Sequence, residues 1–183
     1  MSLDIKRFNI EGPILIMPKV FTDERGFFLE TYKKSDFSEI GISKDFVQDN
    51  HSMSKKGTIR GVHYQLPPFE QAKLVRVVKG RVWDVAVDLR KNSPTFKKWV
   101  GVELSDKDNF MFYIPNGFGH GFIALEDDTH FLYKCTNIYN KQSEAGIRWN
   151  DPDIQIEWPL MENILVSEKD RILPNYISAR FFD

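Results

Sequence analysis

Apolar and polar positions alternate with a period near two along most of this chain, the spacing of strands and not of helices. The pattern is clearest over residues 82–89. There Trp83, Val85, Val87 and Leu89 form one large apolar face, and Val82, Asp84, Ala86 and Asp88 form the other. Lys79-Gly80-Arg81 supplies turn chemistry just before it, so residues 72–89 read as a hairpin. Residues 46–52 place Phe46, Gln48 and Asn50 on one face, and residues 99–104, 111–114 and 131–135 continue the pattern at short spacing. Nearer the start, residues 14–17 are a brief apolar run closed by Pro18, and residues 27–32 are aromatic and β-rich. Between them Asp23-Glu24-Arg25-Gly26 is turn chemistry whose charges suit a solvated loop, with Gly26 suited to a positive φ. One short helix is signalled at residues 35–40, opened by Ser35 as N-cap and stopped by Gly41. The charged group Ser167-Glu168-Lys169-Asp170-Arg171 reads as a loop or a helical turn. Regular short strands, Gly/Pro turns and few helices predict an all-β sandwich or closed barrel with short peripheral helices.

Composition narrows the class. The length of 183 residues, with no repeat or linker, predicts one domain over 1–183. Lys plus Arg (25) nearly balances Asp plus Glu (26), and no basic block occurs. Bulk charge therefore recruits neither nucleic acid nor a membrane surface. A single cysteine, Cys135, excludes an intrachain disulfide and a multi-cysteine metal site, and fits a reducing cytoplasm. Met1-Ser2-Leu3-Asp4-Ile5-Lys6 lacks the apolar core of a signal peptide, and no apolar run is long enough for a membrane helix. The expectation is a soluble cytoplasmic protein.

Candidate chemistry gathers around Gly57-Thr58-Ile59-Arg60-Gly61-Val62-His63-Tyr64-Gln65 and the lysine that follows, Lys73. These supply a cation for an anion, an imidazole to move a proton and an ammonium to meet developing negative charge. Strand parity orients them. Lys73 shares a face with Val75 and Val77, Tyr133 with Phe131 and Cys135, and His120 with Phe118 and Phe122. Polar groups on apolar faces line the interior of a barrel, where ligand pockets form. Each also has a structural reading. The phenol of Tyr133 can bond to backbone, His120 can satisfy its glycine-rich corner, Lys73 can snorkel to a strand end and His63 can cap a loop. The cavity reading gains weight because four such groups share an interior.

Metal binding is the competing chemistry. Pro115-x-Gly117-x-x-His120 resembles the second motif of the cupin superfamily, whose barrels often hold a metal through histidines and a glutamate. The first cupin motif supplies His-x-His, whereas this chain has His63-Tyr64-Gln65, and Lys73 would repel a divalent cation. The chain thus resembles a cupin without its metal, working on side chains alone.

Longer motifs carry a closer resemblance. Asp23-Glu24-Arg25-Gly26-Phe27-Phe28, Val47-Gln48-Asp49-Asn50, Arg60-Gly61-Val62-His63, Lys73-Leu74-Val75-Arg76-Val77, Ile114-Pro115-Asn116-Gly117-Phe118-Gly119-His120-Gly121-Phe122, Tyr133-Lys134-Cys135-Thr136 and Ser167-Glu168-Lys169-Asp170-Arg171 follow in order along nearly the whole chain. Together they resemble the dTDP-4-dehydrorhamnose 3,5-epimerases, metal-free cupin enzymes of dTDP-L-rhamnose synthesis. The resemblance implies a cupin-type double-stranded β-helix (jelly-roll) barrel, no cofactor, and a dTDP-4-keto-6-deoxyhexose substrate. It implies His63 as base, oriented by Asp170, with Lys73 facing the enolate oxygen and Tyr133 as the acid on the opposite face. Arg25, Arg60 and Lys169 would hold diphosphate and sugar oxygens. Gln48, Asn50, Glu30 and Glu144 would bond sugar or thymine, His120 would touch substrate, and Tyr139 would stack on thymine. A homodimer exchanging N-terminal strands is implied as well. Three alternatives stay open at this stage: a single-site epimerase or ketoisomerase, a non-catalytic sugar-binding cupin, and a metal-dependent cupin oxygenase.

Overall fold

The computed structural model describes residues 3–159 and 162–183; Met1 and Ser2 of the amino-terminal stretch read above lie outside them. In chain order the strands are β1 (Asp4–Arg7), β2 (Ile14–Met17), β3 (Val20–Asp23), β4 (Gly26–Leu29) and β5 (Gln48–Ser54). Next come β6 (Thr58–Gln65), β7 (Lys73–Lys79), β8 (Arg81–Asp88), β9 (Trp99–Ser105) and β10 (Met111–Ile114). The last are β11 (Phe118–Ala124), β12 (Thr129–Cys135), β13 (Glu144–Gly146) and β14 (Leu165–Val166). Two short helices, α1 (Lys34–Glu39) and α2 (Glu168–Arg171), lie at the periphery.

Two sheets face each other. One runs β1-β2-β10-β7-β12-β5, and the other runs β13-β6-β11-β8-β9 with β14 added parallel to β6. This is the jelly-roll barrel of cupin type. Its middle is packed by Val75 and Val77 from one sheet against Val82, Ala86, Phe118 and Phe122 from the other, with Phe112 and Phe131 fully buried between them. Truncating either phenylalanine to alanine costs about 3–5 kcal/mol by loss of contacts and the void left behind. The outer face of the first sheet is covered around Leu74 and Met111 by Phe37 of α1 and by Ile42. The outer face of the second is covered by the C-terminal segment, where Ile154, Phe181 and Phe182 pack on Val62, Tyr64, Val85 and Val87. Between the two sheets, the polar residues on the inner faces share one interior.

Two local expectations change. Residues 72–89 do not form a hairpin: β7 pairs with β10 and β12, while β8 pairs with β11 and β9. The chain turns at Gly80, at φ +82°, and crosses from one sheet to the other. Thr129 Oγ1 would lie 2.5 Å from a Cβ there, so only glycine fits. Alternation shows that a strand has a buried face, but not which strands flank it. The helix begins one residue early, after Lys33, and Ser35 is not its cap; the Ser35 hydroxyl bonds Asp36 Oδ1 instead. Ser167 does cap α2, accepting from the Asp170 N–H at 3.1 Å.

Candidate active site

Residues of both sheets and of α2 line a cavity of about 580 Å³. On β6, Val62 and Tyr64 pack outward beneath the C-terminal segment, which turns His63 inward. Lys73, His120 and Tyr133 enter from β7, β11 and β12 as their parity predicts, and α2 delivers Asp170. Arg60 lines the same wall, held by its bonds to Ser54 Oγ and the Met53 carbonyl.

His63 Nε2 meets Asp170 Oδ1 at 2.7 Å, and Asp170 Oδ2 accepts from the Gly61 N–H at 3.2 Å. Burial pushes the Asp170 carboxyl up, but hydrogen bonds from His63, Gly61 and Ser167 outweigh it and hold the group below the usual aspartate range. Against an ionised carboxylate the imidazole must present Nε2–H, which leaves Nδ1 with the free lone pair. An imidazole so held can accept a proton at Nδ1.

A second histidine–aspartate pair lies deeper. His120 Nε2 is 3.0 Å from Asp84 Oδ2, and both residues are buried. Burial lowers His120 and raises Asp84, each only partly offset by the attraction of its partner. Burial likewise pushes the Lys73 ammonium below its ordinary value, against the pull of Cys135, Asp84 and Glu144. Among the described residues no carboxylate lies within ion-pair distance of Lys73; its Nζ is 6.0 Å from the centre of the Tyr133 ring. An unpaired ammonium in a desolvated wall is suited to an oxyanion brought by a ligand. Burial raises the Tyr133 phenol, and the charge of Arg60 opposes that rise.

A smaller recess of about 160 Å³ shares His63, Lys73, Tyr133 and Glu144 with the main cavity. A chain of polar contacts edges it. Lys169 bonds Glu144, Glu144 Oε2 accepts from the Tyr139 hydroxyl at 3.0 Å, and Gln48 Oε1 accepts from the Tyr139 N–H at 2.9 Å. Gln48 in turn donates to Asn50 Oδ1 at 3.1 Å. Gln65, where metal-binding cupins place a histidine, is committed elsewhere. It donates to the Phe69 and Ile138 carbonyls and accepts from the Asn140 N–H, pinning the loop that carries Tyr139. Among the described residues no group of three or more His, Cys, Asp or Glu converges as metal ligands would.

Eleven sequence-derived candidates therefore meet around one space: His63, Asp170, Lys73, Tyr133, His120, Arg60, Glu144, Lys169, Gln48, Asn50 and Tyr139. Arg25 and Glu30 do not line it. The Arg25 side chain is 85% exposed and bonds Asp23 within the β3–β4 ribbon, which pairs only with itself. Asp84, which backs His120 behind the wall, and the wall residues Ser52 and Arg171 escaped the sequence reading. An aspartate between Val82 and Ala86 on the inner face was the available signal for the first. Ser52 and Arg171 carried none.

The fold and the site define a cupin-type barrel with a histidine–aspartate pair, an ammonium and a phenol around one cavity. The chain belongs to the dTDP-4-dehydrorhamnose 3,5-epimerase family, whose model matches residues 7–177. It is 50% identical over 181 residues to the dTDP-4-dehydrorhamnose 3,5-epimerase of Shigella flexneri, covering 98% of this chain and 99% of that protein. The crystal structure of the enzyme of that name from Sulfolobus tokodaii superposes with a TM-score of 0.93 at 44% identity, over 100% of both chains. A dTDP-6-deoxy-D-glucose-3,5-epimerase from Legionella pneumophila, solved with dTDP-4-keto-L-rhamnose, gives 0.89 at 44% identity over 96% of this chain and 99% of that one.

Proposed function

We propose that this chain, as one domain, converts dTDP-4-dehydro-6-deoxy-D-glucose to dTDP-4-dehydro-L-rhamnose by inverting the two carbons beside the ketone. The protein is a carbohydrate epimerase of the isomerase class, and the step serves dTDP-L-rhamnose synthesis in the cytoplasm. The observation that carries the reading is the 2.7 Å His63–Asp170 contact in a cavity that also holds Lys73 and Tyr133. The ketone acidifies each neighbouring C–H bond. His63 takes that proton, and Asp170 stabilises the imidazolium formed. Lys73 faces the enolate oxygen, and Tyr133 returns a proton to the carbon from the other side. Tyr139, Glu144, Lys169, Gln48 and Asn50 hold the nucleotide, while Arg60 and His120 hold diphosphate and sugar oxygens.

The test is turnover in deuterated water followed by NMR. Label at both carbons flanking the ketone is expected; label at one alone would make the protein a single-site epimerase.

The homodimer belongs to the same proposal. Phe27 and Phe28 on the β3–β4 ribbon are 61% and 65% exposed, and Arg76 Nε, on the outer face of the first sheet, is buried with no acceptor among the described residues. An exchanged ribbon from a second copy would cover the rings and bring Arg25 and Glu30 towards the site. A monomeric mass in solution at micromolar concentration would contradict this.

A further inference from the structure

The inward face of β5 carries four polar side chains, Gln48, Asn50, Ser52 and Ser54. Three of them are engaged. Gln48 and Asn50 bond each other, Asn50 Nδ2 also reaches Cys135 Sγ at 3.7 Å, and Ser54 Oγ accepts from Arg60 Nε at 3.1 Å. Ser52 alone is idle: its hydroxyl is buried and has no hydrogen-bond partner among the described residues. It lies on the wall of the main cavity with Arg60 and Tyr133, beside the stacked rings of Phe122 and Phe131. An orphaned buried hydroxyl costs about 1–3 kcal/mol, a cost that a group formed only during turnover can offset.

Register shows which group is in reach. Ser52 is opposite Phe131 and Asn50 opposite Tyr133, so Ser52 and Tyr133 are diagonal neighbours on the inner face. Diagonal pairs are about 7–8 Å apart, a span that an aromatic side chain crosses. Asn50 is directly opposite but already bonded, and Lys73 approaches the ring of Tyr133 from its face.

We propose that the Ser52 hydroxyl donates a hydrogen bond to the Tyr133 phenolate left when Tyr133 gives its proton to the enolate carbon. This rests on the epimerase reading. In that step the Tyr133 O–H bond breaks, a C–H bond forms from the enolate electron pair, and the phenolate oxygen keeps the O–H pair until water re-protonates it. Ser52 changes no covalent bond. It is a positioning residue, acting through Tyr133 and sharing with the Arg60 cation the stabilisation of an anion that burial otherwise disfavours.

The test compares the parent, Ser52→Ala and Ser52→Thr in deuterated water. An intermediate that waits longer for Tyr133 returns more often to substrate through His63. Ser52→Ala is therefore expected to lower kcat roughly tenfold and to raise deuterium in recovered substrate, per product formed, by a similar factor. KM, and dTDP affinity by calorimetry, should stay within about twofold, and Ser52→Thr, which keeps the hydroxyl, should restore kcat to within about threefold. Unchanged partitioning in Ser52→Ala, or weakened dTDP affinity with kcat intact, would overturn the inference; the second result would assign the hydroxyl to the diphosphate. An inactive parent overturns both readings, whereas an active parent with an unaltered Ser52→Ala overturns this one alone.

Discussion

His63 with Asp170 and His120 with Asp84 are the same two residue types, at 2.7 and 3.0 Å; both histidines line one cavity, and Asp84 lies behind its partner. Burial separates them. The His63 side chain is 31% exposed and that of His120 8%, while Asp84 is fully enclosed and Asp170 collects donors from Gly61 and Ser167. The shallower pair keeps its carboxyl ionised, and an ionised carboxyl welcomes an imidazolium beside it. The deeper pair is pushed towards neutrality on both sides, and Lys73 adds a like charge that opposes protonation of His120. Only the first pair offers its imidazole an ionised neighbour, as the proposed base requires. The second is left to donate and accept hydrogen bonds.

The largest expected contrast is in rate. Asp170→Asn should lower kcat by about 10²–10³, because the amide cannot stabilise the imidazolium. Asp84→Asn should stay within about tenfold, since it removes a partner that was not needed as an anion. Equal losses from the two substitutions would erase the distinction. A second contrast is spectroscopic. In a pH titration followed by NMR, the His120 ring should remain neutral through the range where an unperturbed imidazole, near ~6.5, takes up its proton. A His120 signal titrating normally would show that the pair is wet.

The smallest contrast is in stability, and its sign differs between the pairs. Asp170 is held below its ordinary value in the fold. Its contribution is therefore full above the unfolded value of about 3.9 and is lost as pH falls through the folded one. Asp84 is raised, so its contribution is full below about 3.9 and is lost as pH rises through its folded value. From pH 3 to 7, melting of Asp170→Asn should fall behind the parent as pH rises, and melting of Asp84→Asn should gain on it. Shifts of about 2–4 °C are the size that about 1 kcal/mol produces in a chain of this length.

Much of this site was legible because strand parity is a local rule. Lys73, His120 and Tyr133 share faces with valines and phenylalanines, and the barrel turns those faces inward. The roles assigned to them came from motif resemblance and not from parity, which gives direction without chemistry. Sheet partnership is non-local, and so β7 and β8, adjacent in the chain and joined at Gly80, lie in different sheets. Asp84 was visible as a polar residue on an apolar strand, but its partner His120 is 36 residues away and nothing in the spacing joins them. The cavity wall formed by β14 and α2 depends on a tail whose own pattern is short and charged. Arg25 and Glu30 show the limit from the other side. The motif around Arg25 matches, yet in one chain neither Arg25 nor Glu30 lines the cavity.

Solvent exchange in the two histidine variants tests the central claim most directly. With substrate in deuterated water, His63→Ala should incorporate no label at either carbon beside the ketone while still binding dTDP, and His120→Ala should go on incorporating it within about tenfold of the parent. Label persisting in His63→Ala and vanishing in His120→Ala would move the base to the buried pair and contradict the account.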